Sequence, residues 1–206
     1  KTFSIRRPDA SGRLSAEHRS AAEETVYVLQ SPLRLLTRAV GAAIRSPLGA
    51  LRTIGASQRL SPPGVAARLR HMVYAAEAIV LGRSLRRESI RHVHVHMANN
   101  GAAVAMLATR YWPGLTYSLT IHGSAEFFHV DSWCLKPKVE HALFVRCISH
   151  FCRSQIMAWT DPAVWHRLHI VHCGVDTAEF QPRLPRIPGP LRILTVGRFD
   201  PIKGYP

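Results

Sequence analysis

The chain lacks any apolar run long enough to cross a membrane, and no signal peptide is visible in it. A membrane-spanning helix needs ~20 predominantly apolar residues in succession. Acidic residues are also scarce, since 13 Asp and Glu stand against 27 Lys and Arg, for a net charge of +14. The excess is concentrated in residues 1–91, which carry 16 basic and 6 acidic side chains. This balance suits anionic partners such as phosphates, nucleic acid or an acidic membrane surface.

Cysteine is rare as well, and several catalytic signatures are missing. The four cysteines have no Cys-x-x-Cys spacing and lie in apolar or strand-like contexts, which predicts reduced core residues of a cytoplasmic protein. A thiol site is suggested by three residues, Cys147, His150 and Cys152. Core packing explains them better, because Cys147 lies in the middle of a predicted strand and Cys152 at the start of a predicted helix. The chain has no Gly-x-Ser-x-Gly, His-Glu-x-x-His or Walker-type motif, so a serine hydrolase, a zincin or a P-loop enzyme has no support.

The length and composition fit one full domain and part of another, with 206 residues of which 47% are hydrophobic. The chain opens on Lys1 and closes on Tyr205-Pro206 directly after a strand-like run, so we expect a fragment that is truncated at both ends. The predicted boundaries are 1–181 for a first domain, 182–190 for a proline-rich linker and 191–206 for the start of a second domain.

The first half predicts three helices that begin at Ser-Pro pairs, which recur every 15 residues at Ser31, Ser46 and Ser61. Serine accepts hydrogen bonds from the free amides of a first turn, and proline at the first helical position loses no donor. Apolar residues from Val65 to Val80 form one stripe along the third helix. Five arginines follow one another at spacings of four and seven residues, which keeps them on one face within any one helix: Arg34, Arg38, Arg45, Arg52 and Arg59. This face is either solvated or in contact with an anionic membrane.

From Arg91 onward, strand-like and helical stretches alternate. This order predicts an α/β fold of Rossmann-like type, a parallel sheet with helices covering its faces. The apolar run from Tyr117 to Ile121 predicts a buried strand, followed at once by His122 and Gly123. Ligands of open parallel sheets bind past the carboxyl ends of the strands, and glycine lets the backbone approach them closely. His122 can donate a hydrogen bond to a sugar or phosphate oxygen there; the alternative is a loop histidine packed beneath the sheet.

Three histidines share one face of the preceding strand, because side chains alternate along it: His92, His94 and His96. A histidine triplet can hold zinc, but a straight strand spreads the first and last positions over ~13 Å, too far for one ion. We prefer an arrangement in which His96, nearest the carboxyl end, faces a cleft.

The last segment carries two cations beside glycines. Val196-Gly197-Arg198 ends a strand-like run, and Lys203-Gly204 follows five residues later. Arginine and lysine on such a loop can both grip a diphosphate. The alternative is a pair of solvated loop cations.

Five segments, in this order, resemble family 4 (group 1) glycosyltransferases, in particular those of bacterial exopolysaccharide or colanic-acid biosynthesis. They cover about residues 92 to 204 and read HVHVHMANN, LTIHGSAEFF, FVRCISHFCRSQI, LHIVHCGVDTAEFQPR and ILTVGRFDPIKG. The resemblance implies the GT-B fold, in which two Rossmann-like domains face each other across a cleft. The first domain takes the acceptor and the second takes a nucleotide-sugar donor. It further implies retention of anomeric configuration, no metal, and no cofactor besides the nucleotide-sugar co-substrate.

The resemblance also implies roles for individual residues. The His122-Gly123 pair would meet the donor sugar, with His122 as the catalytic residue near the reacting centre. Arg198 and Lys203 would neutralise the donor diphosphate, whose negative charge grows in the transition state. His96 and Asn99 would line the acceptor side.

The resemblance leads to an enzyme on the cytoplasmic side of the membrane, docked peripherally on anionic lipid by its arginine-rich helices. Its partners would be a nucleotide-sugar donor and a saccharide or lipid-linked acceptor, and not nucleic acid. The family's paired donor-domain glutamates are missing here, so we expect the chain alone neither to turn over nor to bind a nucleotide-sugar tightly. Two alternatives stay open. One is a basic nucleic-acid- or anion-binding Rossmann-like module without catalysis, although helix-turn-helix, zinc-finger and RNP-like patterns are missing. The other is a Rossmann-like scaffold with a degenerate site.

Overall fold

The computed structural model of the chain describes residues 1–7, 16–123, 126–128, 130–178, 189–190, 193–197, 199 and 204. It divides into two compact units, Lys1–Cys173 and Gly174–Pro206. The helices and strands described below all belong to the first unit. Most of the predicted linker, residues 182–188, lies outside the described residues, so the predicted boundary at residue 181 stays a prediction.

The strands form two parallel sheets, which together with the helices confirms the predicted α/β fold with a Rossmann-like parallel sheet. A short pair joins β1 (Phe3–Ser4) to β2 (Val26–Tyr27). The larger sheet has the order β3-β4-β5-β6. Its strands are β3 (His92–His96), β4 (Thr116–Ile121), β5 (Val145–Cys147) and β6 (Leu168–Ile170).

Seven α-helices and a short 3-10 helix are described. The helices are α1 (Ala16–Glu24), α2 (Pro32–Arg45), α3 (Pro47–Leu60), α4 (Val65–Arg87), α5 (Asn100–Tyr111), α6 (Leu135–His141), α7 (His150–Trp159) and the 3-10 helix Pro162–Arg167. Among these, no helix combines the length and the apolarity needed to cross a membrane.

The Ser-Pro pairs start helices less uniformly than predicted. Ser31 caps α2 by accepting a hydrogen bond from the Arg34 amide at 3.3 Å, as expected. Ser46 precedes α3 but makes no side-chain cap. The predicted start at Ser61 is wrong, because α4 begins only after Gly64. Pro63 disfavours helical backbone at the residue before it, so the helix cannot begin until this second proline has passed.

The order of the strands in the larger sheet decides where its helices lie. Sequential parallel strands with right-handed crossovers place every connecting helix on the same face. Accordingly, buried residues of α5, α6 and α7 share one core with the inward side chains Tyr117, Leu119 and Ile121 of β4. The prediction that helices cover both faces therefore fails in the part of the chain that is described: on the opposite face His92, His94, His96 and His169 are exposed.

A second core joins α4 to α2, α5 and the β1–β2 pair. The predicted apolar stripe of α4 is only partly buried: Ile79 and Val80 are buried, whereas Val65 and Leu69, with Met72 and Val73, are exposed. An apolar stripe predicts a face but not which neighbour covers it.

The prediction that all four cysteines are core residues is only partly correct. Cys147 and Cys152 are buried, but Cys134 is partly buried and Cys173 is exposed.

Glu77 of α4 is buried in this helical part of the fold, and its pH response can be tested. Burial raises the pKa of Glu77 to about 7, although Arg6 opposes the shift. The unfolded chain then releases this proton at lower pH than the folded chain does. Folding stability should therefore fall by roughly 2–3 kcal/mol as the pH rises from about 4.5 to 7, and Glu77→Gln should remove that fall.

Urea unfolding of both proteins at about pH 5 and about pH 8 measures the effect, with Glu88→Gln as the control. Glu88 is partly exposed and pairs with Lys1 at 2.8 Å, so its substitution should change the pH dependence little. An equal stability difference between Glu77→Gln and the unsubstituted chain at both pH values would contradict the prediction.

Candidate functional site

A histidine stands at or just beyond the carboxyl end of each strand in the larger sheet. His96 ends β3, and His122, His150 and His172 follow β4, β5 and β6 within three residues. The ring centroids of His96 and His122 are 5.8 Å apart, and those of His150 and His172 are 6.4 Å apart. We call these four residues the histidine edge. Parallel strands end on the same side, so the fold brings together imidazoles that are far apart in sequence.

His122 lies at the surface of this edge. Its side chain is partly exposed and neighbours the exposed ring of His96. The alternative of a loop histidine packed beneath the sheet does not fit this position. The residue predicted as catalytic is therefore accessible to a ligand that approaches the carboxyl ends of the strands.

Two helices begin at the histidine edge. Asn99 caps α5 by accepting a hydrogen bond from the Gly101 amide at 3.0 Å, and Ser149 caps α7 in the same way from Cys152 at 3.1 Å. A helix amino terminus carries partial positive charge and favours electron-rich oxygens. Asn99, predicted to line the acceptor side, therefore also has a structural role, because its side-chain oxygen is engaged in the cap.

The Glu126 carboxylate links the ends of β3 and β4. One oxygen accepts hydrogen bonds from the amides of His122 at 2.8 Å and Gly123 at 3.3 Å. The other accepts from the amide of Ala98, which lies in the loop after β3. These amides stand just beyond the paired strands, where neighbouring strands no longer supply acceptors. Sequence reasoning gave Glu126 no role, because only the return of its loop to the strand ends places it there.

Lys138 of α6 holds the same loop from its carbonyl side. The ammonium group donates to the carbonyl of Ala98 at 2.8 Å and to that of Asn99 at 2.9 Å. The side chain is 2% exposed. Burial lowers the pKa of Lys138 to about 8, while nearby Cys134 and Glu126 oppose the shift. Glu126 and Lys138 together leave the backbone around Ala98 little freedom.

The backbone at the two strand ends takes unusual conformations. Gly123 has a φ of 143°, a value that side-chain-bearing residues rarely adopt, and a Cβ placed there would meet no atom within 4 Å. Met97 has a φ of 70° although it is not glycine. Left-handed backbone costs a residue like methionine of the order of 1 kcal/mol and is found disproportionately at functional sites. The Met97 amide is still paired, since it donates to the Thr120 carbonyl at 2.8 Å.

Hydroxyl groups of β4 fix the histidines of β3. The Thr116 hydroxyl donates its one hydrogen to the Arg91 carbonyl at 3.2 Å, so it can only accept from His92 Nδ1, 2.8 Å away. Nε2 of neutral His92 is then an acceptor, and the Ser118 hydroxyl at 2.9 Å must donate to it. The contacts of one threonine therefore assign the Nδ1-protonated tautomer to His92.

The same reasoning passes to the next histidine. Ser118 has used its hydrogen, so it accepts from His94 Nδ1 at 2.7 Å, and the Thr120 hydroxyl donates to His94 Nε2 at 2.7 Å. Partial burial of its ring lowers the pKa of His94. In their neutral forms, both rings have a hydrogen-bond partner at each nitrogen. In the described residues, no three His, Cys, Asp or Glu side chains are grouped in a way that could hold a metal ion.

The predicted site is only partly visible. His96, Asn99, His122 and Gly123 come together at the carboxyl edge. Arg198 and Lys203 both lie outside the described residues, so their grip on a diphosphate stays a prediction. Two cavities of about 610 and 690 Å³ lie elsewhere: the first is lined by residues of α3, α5 and α6, and the second lies near the amino ends of β4, β5 and β6.

No protein-family model matches the chain, and no curated protein matches it at a significant level. The resemblance to family 4 glycosyltransferases therefore rests on the five sequence segments alone.

The Glu126 link can be tested with an isosteric substitution. Glu126→Gln replaces one acceptor oxygen by an NH2 donor, so whichever way the amide turns, a backbone N–H loses its partner. We expect a loss of about 1–3 kcal/mol in unfolding free energy and faster hydrogen exchange at the Ala98 or His122 amide. Urea unfolding and NMR-detected exchange measure the two effects.

Glu140→Gln is the matched control, because the Glu140 carboxylate pairs at the surface with Lys136 at 3.8 Å, a contact worth ~0.5 kcal/mol or less. Equal stability losses in the two variants, with unchanged exchange at both amides, would show that the carboxylate does not hold the strand ends.

Proposed function

We propose that this chain forms the acceptor-side part of a glycosyltransferase, which moves a sugar from a nucleotide-sugar donor to a polysaccharide or lipid-linked acceptor with retention of configuration. The observation that carries the proposal is the pair of imidazoles, His96 and His122, 5.8 Å apart at the carboxyl edge of the sheet. Imidazoles donate or accept hydrogen bonds and so suit sugar hydroxyls and phosphate oxygens. Glu126 and Lys138 support this role by holding the backbone around the pair in one geometry.

The chemistry of the transfer explains why such rigidity would matter. The bond between the anomeric carbon and the diphosphate breaks, and the leaving diphosphate gains negative charge. Donors that are already oriented toward the developing charge lower the barrier most, because they need not reorganise during the reaction. In this proposal His122 supplies a hydrogen bond beside the anomeric centre, and Arg198 and Lys203 supply the charge at the diphosphate.

The alternative is an anion-binding module without catalysis. The many arginines of α2, α3 and α4 without a carboxylate partner in the described residues favour it. Such a module would bind phosphates without releasing a nucleoside diphosphate. Product release therefore separates the two functions.

The transferase proposal is tested on a protein that joins this chain to a donor-binding domain. A panel of UDP-, GDP-, ADP- and TDP-sugars is assayed for nucleoside diphosphate release, with and without acceptor glycans. We expect His122→Ala to lower kcat about 100-fold, the usual cost of removing one oriented donor from a transition state. His166→Ala is the control, because His166 is an exposed histidine of the 3-10 helix before β6. Full activity in His122→Ala, or no release with any donor, would rule out the proposed role.

We further infer a partner for the first helices, an anionic membrane surface. Helix α2 buries Leu35, Ala39 and Ala42 but leaves four large aliphatic residues exposed. These four form the α2 ridge, with Leu33 71%, Leu36 59%, Val40 51% and Ile44 74% exposed. Arginines run along the same helix, and the stretch 25–76 contains seven arginines and no acidic residue. An apolar ridge with cations beside it is the pattern of helices that lie in the interface of anionic bilayers.

Vesicle flotation tests this partner with phosphatidylcholine alone and with roughly one third phosphatidylglycerol. Leu36→Asn/Ile44→Asn should weaken partition into the anionic vesicles by about tenfold or more, because the variant loses two aliphatic side chains that would otherwise be transferred from water into the bilayer. Leu143→Asn/Val171→Asn removes two exposed aliphatics outside these helices and should change little. Equal binding by both double variants would contradict the inference. So would a concentration-dependent dimer that only the α2 substitutions break, because a second copy would then cover the ridge.

A further inference from the structure

Four arginines converge on one cavity at the carboxyl-terminal ends of α2 and α4. We propose that this cavity binds a compact, multiply charged phosphate group. Its volume is about 360 Å³, within the range of small-ligand sites. The cavity, called here the four-arginine pocket, is lined by Arg45, Ser46, Arg83, Arg86, Arg87 and Tyr111.

The positive charge of the pocket has no counterpart in the described residues. No acidic side chain lines the cavity. The nearest carboxylate in sequence, Glu88, pairs with Lys1 at 2.8 Å. The other described salt bridge joins Lys136 to Glu140. The like charges of four arginines that line one small cavity repel one another, and an anion with several negative charges would relieve that repulsion.

Arginines near helix ends have a simpler role, which explains only part of this cluster. Cations in the last turn stabilise a helix through its dipole, and Arg45, Arg86 and Arg87 occupy last turns. Arg45 fulfils that role by donating to the Gly41 carbonyl at 2.8 Å. Arg83 lies a turn earlier in α4 and is partly buried, so the dipole does not account for its position.

The wall of the pocket is rigid. The Tyr111 hydroxyl donates to the Ala42 carbonyl at 3.0 Å. Gly49 and Gly82 allow the close packing of Tyr111, since a Cβ on Gly82 would lie 2.9 Å from its ring and one on Gly49 would lie 2.6 Å from its carbonyl oxygen. The helices that carry the arginines are thus held against a fixed side chain.

The pocket is separate from the histidine edge. Tyr111 ends α5, whereas the first residue of that helix, Asn100, lies at the carboxyl edge of the sheet. Eleven steps of 1.5 Å place the two ends of the helix roughly 16 Å apart. The ligand bound here would therefore not be the group that reacts beside His122.

Phosphate is the anion that this arrangement favours. Guanidinium groups pair bidentately with phosphate oxygens, and several of them can share one phosphomonoester or diphosphate. The phosphate can belong to a free molecule such as a diphosphate, or to a lipid headgroup that carries a phosphomonoester.

Titration calorimetry with inorganic pyrophosphate tests the free source, and flotation on vesicles that contain phosphatidic acid tests the lipid source. Arg83→Gln/Arg86→Gln should weaken binding at least about tenfold. The control Arg19→Gln/Lys136→Gln removes the same charge from two exposed positions outside the pocket and outside the arginine-rich helices, and should leave binding within about twofold. Circular dichroism verifies that both variants fold.

Each outcome decides between definite alternatives. Pyrophosphate binding that depends on Arg83 and Arg86 supports the site with a free ligand. Binding to phosphatidic acid but not to pyrophosphate, with the same dependence, supports it with a lipid headgroup. Equal losses in both double variants would show a non-specific response to charge and overturn the proposal, as would no binding to either probe.

Discussion

One carboxylate and one ammonium group determine the geometry of the candidate site. A parallel sheet leaves backbone groups unpaired where its strands stop, and an unpaired buried amide or carbonyl is costly. Here Glu126 takes the amides of His122, Gly123 and Ala98, and Lys138 takes the carbonyls beside them. The buried ammonium is tolerable because it has two carbonyl acceptors and a carboxylate nearby. The positions of the imidazoles therefore depend on two residues that need not touch a ligand.

The strand order explains the histidine-rich face of the sheet. With four strands in sequential order, the crossovers place their helices on one side, and the other side must be satisfied by its own side chains. Alternating imidazoles and hydroxyls achieve this, since His92 and His94 use both ring nitrogens on the hydroxyls of Thr116, Ser118 and Thr120. Two histidines of the triplet that suggests zinc in the sequence are thus accounted for as a hydrogen-bonded cover over β4, and the third, His96, belongs to the histidine edge.

Patterns within a single segment of the sequence were sufficient to predict the strands and helix caps that depend on neighbouring residues in the chain. The run from Tyr117 to Ile121 is a buried strand, and Ser31 caps α2, both as predicted. The failures depend on what lies next to an element. The stripe of α4 did not reveal that its first half has no cover, and the residues around His122 did not reveal that Glu126 would return to Ala98, 28 positions earlier. Such contacts follow from the topology, which the spacing of residues in one segment does not contain.

The chain separates two kinds of recognition. Its arginines are concentrated on α2, α3 and α4, with seven in the stretch 25–76 that has no acidic residue. Its hydrogen-bonding groups stand at the carboxyl edge of the sheet as imidazoles and helix amino termini. Arginine attracts anions over about a Debye length but selects poorly among them, whereas oriented hydrogen bonds act only at contact and discriminate by geometry. In the proposed transferase, a ligand or surface attracted by the arginines would be held while the imidazoles align a sugar, and this division would require the strand ends that Glu126 and Lys138 hold in place.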